Sequence, residues 1–196
     1  MKCDVILAGV GGQGVLSVAA IIAQAAVDEG FEVRQSEVHG MAQRGGAVLA
    51  HLRIADKPIA SDLVPRGGAD LILSMEPLES LRYAGWLSPK LASGQSGALV
   101  SAAEPFVNIP NYPDPELILQ TIKAFPLYRI VEAASLAKET GLAKSVNMVM
   151  VGAASAFLPI GAKAMEDTIK KMFAAKGDAA VEANIKAFGL GRNAAK

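Results

Sequence analysis

Residues 5–16 read VILAGVGGQGVL. Val5, Ile6, Leu7 and Ala8 form an unbroken apolar run, which suits a strand buried on both faces of a parallel sheet. The run leads directly into Gly9-Val10-Gly11-Gly12-Gln13-Gly14, with the G-x-G-x-x-G spacing, and an apolar helical pattern follows from about 15 to 29. In that setting the glycines permit a tight turn, a close backbone approach to a phosphate and close packing of helix on strand. The helix beyond them presents N–H groups and the positive end of its dipole. Gly9, Gly11, Gly12, Gln13 and Gly14 are therefore the candidate cofactor-binding positions. A full dinucleotide needs in addition an acidic residue at the end of the second strand, roughly twenty positions on. Glu37 stands near that place, but with Arg34 before it and His39-Gly40 after it the signature is not clean. The loop suits a phosphate or carboxylate better than it suits NAD.

Working outward, Gly30 is placed to end the helix, and FEVRQSEV reads as a second strand, so a β–α–β unit opens the chain. Residues 47–54 read as a strand, ADKP as a turn and IASDLV as a returning strand, giving a hairpin over 47–64. GGADLILSM is another buried strand. Glu76 and Pro77 open a short helix. Strands are expected near ALVSA, PFVNI and LYRIVEA, and helices at PELILQTIKAF and AASLAKETG. From about 144 onward the pattern is helical, with Pro159 as a stop. The fold class this predicts is α/β: a Rossmann-like, mostly parallel sheet with flanking helices, a β-hairpin insertion and a helical C-terminal end. The domain reading is one unit over 1–196, with an α/β body to about 143 and a helical part over 144–190.

Lys plus Arg and Asp plus Glu are equal at 19 each, so the net charge is zero, which argues against nucleic acid and against anionic membrane as partners. Hydrophobic residues reach 52% while aromatics are only 5%, the balance of an aliphatic α/β core, either an ordinary compact enzyme-like domain or one with some apolar surface covered by a partner. Cys3 is the only cysteine, so the chain supplies neither a disulfide nor the thiolates of an iron–sulfur cluster. With His39 and His51 the only histidines, no metal site is expected. No stretch has the length of a charge-free membrane span and no signal peptide is visible, so a cytoplasmic location is the expectation.

The segment SEVHGMAQRGG, residues 36–46, carries more chemistry than the glycine loop. It follows a strand, where open α/β sheets present ligands. Arg44 can clamp a carboxylate or phosphate through paired hydrogen bonds, and His39 can move a proton near neutral pH. Each has a bland alternative: His39 satisfying loop carbonyls, Arg44 in a surface ion pair. The crowding of Glu37, His39, Gln43 and Arg44 among Gly40, Gly45 and Gly46 favours a contact surface for a ligand or another chain. Glu37, His39 and Arg44 are the candidate catalytic residues.

GVGGQGVL, EVHGMAQRGGAV and ADLILSMEPLESLR together resemble the γ-type domain of the 2-oxoacid:ferredoxin oxidoreductase family, indolepyruvate branch, over nearly the whole chain. Gly9, Gly11, Gly12, Gln13 and Gly14 match the first motif. Ser36, Glu37, His39, Gly40, Met41, Gln43, Arg44, Gly45 and Gly46 match the second, and Glu76 and Pro77 the third. The resemblance implies a subunit of an oxidoreductase that oxidatively decarboxylates aryl 2-oxoacids such as indolepyruvate to acyl-CoA, with electrons passed to ferredoxin. It implies that this chain carries no cofactor. Thiamine diphosphate, Mg and iron–sulfur clusters are then expected in a large α subunit, with coenzyme A as co-substrate. The chain would be inactive alone, and Glu37, His39, Gly40, Met41, Gln43, Arg44, Gly45 and Gly46 would face the partner or the shared active site. The alternatives are a dinucleotide-binding reductase and a non-enzymatic nucleotide-binding module.

Overall fold

The apolar run at residues 5–8 lies near the middle of a six-stranded sheet. The computed structural model describes residues 1–39, 45–91 and 94–195, with His39 described in its backbone. Strands β1 (Lys2–Val10), β2 (Glu32–His39), β3 (Ala47–Ala55), β4 (Leu71–Ser74), β5 (Ala98–Ala102) and β6 (Tyr128–Val131) stand in the order β2-β3-β1-β4-β5-β6. β1, β4, β5 and β6 are mutually parallel, and β3 runs antiparallel to both β1 and β2. The helices are α1 (Val15–Asp28), α2 (Pro77–Arg82), α3 (Pro115–Lys123), α4 (Ala133–Lys138), α5 (Val146–Ala154), α6 (Ala162–Phe173) and α7 (Asp178–Ala194). The mostly parallel α/β sheet with a helical end is the architecture expected.

The expected β–α–β unit is present, with β3 lying between its parallel strands β1 and β2. Two local expectations are corrected. Val48, Ala50, Leu52 and Ile54 on one side of β3 and Leu49 and His51 on the other are all buried, so this strand needs cover on both faces, which an edge would not supply. The hairpin is accordingly formed by β2 and β3, and residues 59–64 form no strand. They cross the sheet face, where side chains satisfy their backbone. Arg53 Nη1 donates to the carbonyls of Ser61 (3.0 Å) and Leu63 (3.2 Å), and His51 Nδ1 accepts the N–H of Val64 (3.1 Å). Residues 105–109 also form no strand. Pro105 and Pro110 flank them without N–H groups to offer a ladder.

Alternate side chains of β1 feed two cores. Val5 and Leu7 face one cluster with α1, α4, α5, α6 and α7, whose buried members include Ile22, Met150, Ile169 and Phe188. Ile6 faces the other, with Ile72, Leu99, Ile118 and Ile122 beneath α2 and α3. α1 ends as its sequence predicts. Gly30 takes φ 85°, its N–H bonds to Val27 O (2.9 Å), and Phe31 N–H bonds to Ala26 O (3.0 Å), a paired closure that suits glycine. α5 and α7 cross at very short range through Gly152 and Gly191. At the strand origins the fully buried Asp4 accepts from Arg53 Nε (2.8 Å) and Nη2 (3.1 Å), directly opposite it in the β1–β3 register. No helix among the described residues is long and apolar enough to cross a membrane.

Candidate functional site

The glycine loop, Gly45 and Gly46 of the second motif, and Glu76-Pro77 meet at one rim, above the carboxyl ends of β1 and β4. Gly9 is where strand and helix pack closest: a Cβ there would lie 2.7 Å from Val15 Cγ2 and 3.1 Å from Met75 Cβ. Gly14 is the N-cap of α1 with φ 80°, a conformation L side chains avoid, and the cap is made without a side-chain hydrogen bond. A Cβ on Gly14 would lie 2.2 Å from Asn147 Nδ2, so the first turn of α5 stands over the N-terminus of α1. Gly12 is exposed, with φ 103°.

Part of the loop's donor set is spent within the protein. Gly11 N–H donates to Gly46 O (2.7 Å) and Gly45 N–H to Gly11 O (3.1 Å), which carries the β1–β3 pairing past the strand ends. Gln13 N–H donates to Val10 O (3.0 Å). The Gln13 side chain accepts from Val10 N–H (2.8 Å) and donates to Met75 O (3.1 Å), pinning the end of β1 to the end of β4. The ribose contact of a dinucleotide fold is not available in its usual form. Glu37 lies on β2, two strands from β1 rather than one, and neighbouring strands are about 4.8 Å apart, so the acidic residue stands roughly 10 Å from β1, about 5 Å beyond the usual place.

Glu76, at the rim, is almost wholly buried, with 1% exposure. As N-cap of α2 it accepts from Glu79 N–H (2.8 Å), while Pro77 fills the first turn, as the sequence implied. Its other oxygen accepts from Phe106 N–H (3.3 Å) and from the Tyr112 hydroxyl. Burial, and then the Glu76 carboxylate, raise the Tyr112 phenol above its ordinary value, so Tyr112 stays a donor at any working pH. Burial also raises Glu79, against the pull of the Arg82 guanidinium bonded to it at 2.9 Å. Asn108 Nδ2 donates to Gly45 O (2.8 Å).

Of the candidate residues, Gly9, Gly11, Gly12, Gln13, Gly14, Gly45 and Gly46 are thus brought together, with Glu76 beside them. Glu37 is an exposed residue of β2 opposite Ala50, and His39 lies opposite Val48 at the end of that strand. Gly40, Met41, Gln43 and Arg44 lie outside the described residues. Sequence reasoning missed Asn108, Tyr112 and Asn147. A usable signal for the first two was the polar, proline-stiffened NIPNYPDP, too rigid and too polar for the strand proposed beside it.

A family model described as pyruvate ferredoxin/flavodoxin oxidoreductase matches residues 4–194. The chain is 35% identical over 198 residues to "Indolepyruvate oxidoreductase subunit IorB" of Archaeoglobus fulgidus, spanning 100% of this chain and 96% of that protein. It is 35% identical over 203 residues to the protein of the same name from Pyrococcus horikoshii, spanning 98% of this chain and 96% of that one. Among solved structures, the fold is shared with the 2-oxoglutarate:ferredoxin oxidoreductase from Magnetococcus marinus with 2-oxoglutarate, coenzyme A and succinyl-CoA bound. There the TM-score is 0.75 at 21% identity, over 99% of this chain and 31% of that one, so this chain spans about a third of that longer one.

Proposed function

Because the chain belongs to the pyruvate ferredoxin/flavodoxin oxidoreductase family, we propose that it is the small subunit of an enzyme that oxidatively decarboxylates aryl 2-oxoacids such as indolepyruvate. The acyl group passes to coenzyme A, carbon dioxide is released, and the electron pair goes to ferredoxin. The observation that carries this reading is the full-length similarity to indolepyruvate oxidoreductase subunits. A free-standing dinucleotide reductase is disfavoured by the strand order, which separates Glu37 from the glycine loop.

The partner in this reading is a large α subunit that holds thiamine diphosphate, Mg and iron–sulfur clusters, and the complex works in the cytoplasm. Thiamine diphosphate supplies the carbanion chemistry and the clusters the electron path. This chain contributes the rim. Its rigid strand ends hold the glycine loop, and the first turn of α1 suits an anionic group of the acyl acceptor. The 36–46 segment, with Glu37, His39 and Arg44, meets the partner or the shared active site.

The test is co-expression with the large subunit, followed by ferredoxin reduction with indolepyruvate, phenylpyruvate, 2-oxoglutarate and pyruvate, with and without coenzyme A. The expected result is reduction that needs both subunits, coenzyme A and an aryl 2-oxoacid. NAD(P)-dependent reduction by the small chain alone, or no 2-oxoacid-dependent activity in the complete complex, overturns the proposal.

A further inference from the structure

The segment that ties the rim together, residues 104–112, contains none of the motifs that mark the rim in the sequence. It leaves β5, crosses the carboxyl ends of the neighbouring strands and returns toward α3. Both arms are fastened to one buried carboxylate: Glu76 accepts from Phe106 N–H and from the Tyr112 hydroxyl. Between these two anchors Asn108 reaches Gly45 O at 2.8 Å. Gly45 N–H in turn bonds Gly11 O, and Gly11 N–H bonds Gly46 O. A continuous chain of hydrogen bonds therefore runs from Glu76 through the strap to the base of the 36–46 motif and on to the glycine loop. A segment kept only for stability would bury its apolar side chains. Here Phe106 and Val107 are 43% and 67% exposed, while Asn108 and Tyr112 are half-buried and paired with Gly45 O and Glu76.

We propose that Asn108 and Tyr112 are positioning residues of the acyl-acceptor side of the site, acting through Gly45 and Gly11. This rests on the functional reading given above. Asn108 fixes the direction of the Gly45 carbonyl and so the spacing between the two glycine segments. Tyr112, held on Glu76, fixes the strap from which Asn108 reaches. Neither side chain touches the reacting atoms.

The experiment uses the reconstituted two-subunit enzyme with Asn108→Ala, Tyr112→Phe and, as a control on exposed α3 surface, Leu117→Ala. The expected result is a rise of about tenfold in KM for coenzyme A in Asn108→Ala and a smaller rise in Tyr112→Phe. KM for the 2-oxoacid, subunit assembly and the control stay within about twofold of wild type, and Tm of the isolated subunit moves by no more than about 3 °C. Unchanged constants for both substrates in a fully assembled complex overturn the proposal, as does a uniform fall of all constants together with Tm. Amide exchange at Gly11 and Gly45, the two N–H groups that donate in this link, gives a reading in the isolated subunit independent of activity. Faster exchange in Asn108→Ala is expected, and unchanged exchange overturns the proposal. An inactive wild-type complex would instead count against the functional reading.

Discussion

A Cβ placed on Gly191 would lie 1.8 Å from the carbonyl oxygen of Val149, so α7 lies on α5 with no side chain between their backbones. The relation is reciprocal, since a Cβ on Gly152 would lie 2.0 Å from Phe188 O. Gly191→Ala must push the helices apart or distort one of them. The expected loss is about 2–3 kcal/mol, read by urea unfolding. Gly189, one turn position away and with open space where its Cβ would point, is the control. Gly189→Ala should gain about 0.5–1 kcal/mol, because glycine is a poor helix former.

Arg53 neutralises Asp4, a carboxylate with no exposed surface, and holds the 59–64 crossing through two carbonyls. Lys2 also reaches Asp4, at 2.5 Å, but its own side chain is half exposed. Arg53→Ala leaves the buried charge with the weaker partner and should cost about 3–5 kcal/mol. Amide exchange at Leu63 and Val64 should accelerate well beyond the global effect. Equal protection in mutant and wild type at those amides would show that the crossing is held by other contacts.

His51 is buried, accepts a hydrogen bond at Nδ1 and packs edge-on to Trp86. Burial lowers its pKa from 6.5, Arg53 lowers it further, and Asp62 opposes. The unfolded chain therefore binds the proton more readily than the folded one. This contribution to stability is complete above about 6.5 and declines as pH falls from there toward the lowered folded value. Asp70 and Glu79, raised by burial, act the other way, and their cost at neutral pH is relieved on acidification in the carboxylate range. Stability of wild type should thus fall as pH drops below about 6.5, and the fall should be smaller in His51→Gln. Parallel pH profiles for the two proteins in urea titrations would contradict this.

The Cys3 thiol is buried and its pKa is pushed up to about 12, first by burial and then by Asp70 and Asp4. The thiolate is the reactive form. Native protein should resist a disulfide reagent for hours and react at once in denaturing urea. Rapid native reaction would mean that the start of β1 opens readily.

Arg44→Ala tests the motif segment itself. Removing this side chain should change the stability of the isolated subunit by no more than about 0.5 kcal/mol, the range of a surface substitution. In the assembled enzyme, loss of a clamp on a buried anion should cost about 2–5 kcal/mol of transition-state or binding energy. Full activity of the assembled variant would remove Arg44 from the site.

What could be read from the sequence followed from local physics. The run Val5–Ile6–Leu7–Ala8 had to be buried on both sides, Gly30 had to close α1, and Glu76-Pro77 had to open α2. Strand order was harder, because IASDLV alternates like a strand while its backbone partners, Arg53 and His51, are side chains of an earlier element. The nearly continuous apolar run of β3, interrupted by His51 and Arg53, was the available clue that it belonged inside the sheet. The strap was invisible for a stronger reason. Asn108 and Tyr112 act through partners 63 and 36 positions away, and no spacing rule connects an asparagine to a distant glycine carbonyl. Gln13 misled in the opposite direction: inside a glycine loop it reads as a ligand group, yet its amide is used to join two strand ends.

The core that Val5 and Leu7 enter is shared with helices from the far end of the chain, and this sets the order in which synthesis can finish the molecule. A nascent chain that has not yet released Val146 has every strand but lacks α5, α6 and α7, so one face of its sheet is covered only by α1 and α4. The central strand leaves the ribosome first and its apolar neighbours on that face leave last. The core on that face is therefore expected to close only once α7 has emerged, with the early sheet dependent on chaperone shelter until then.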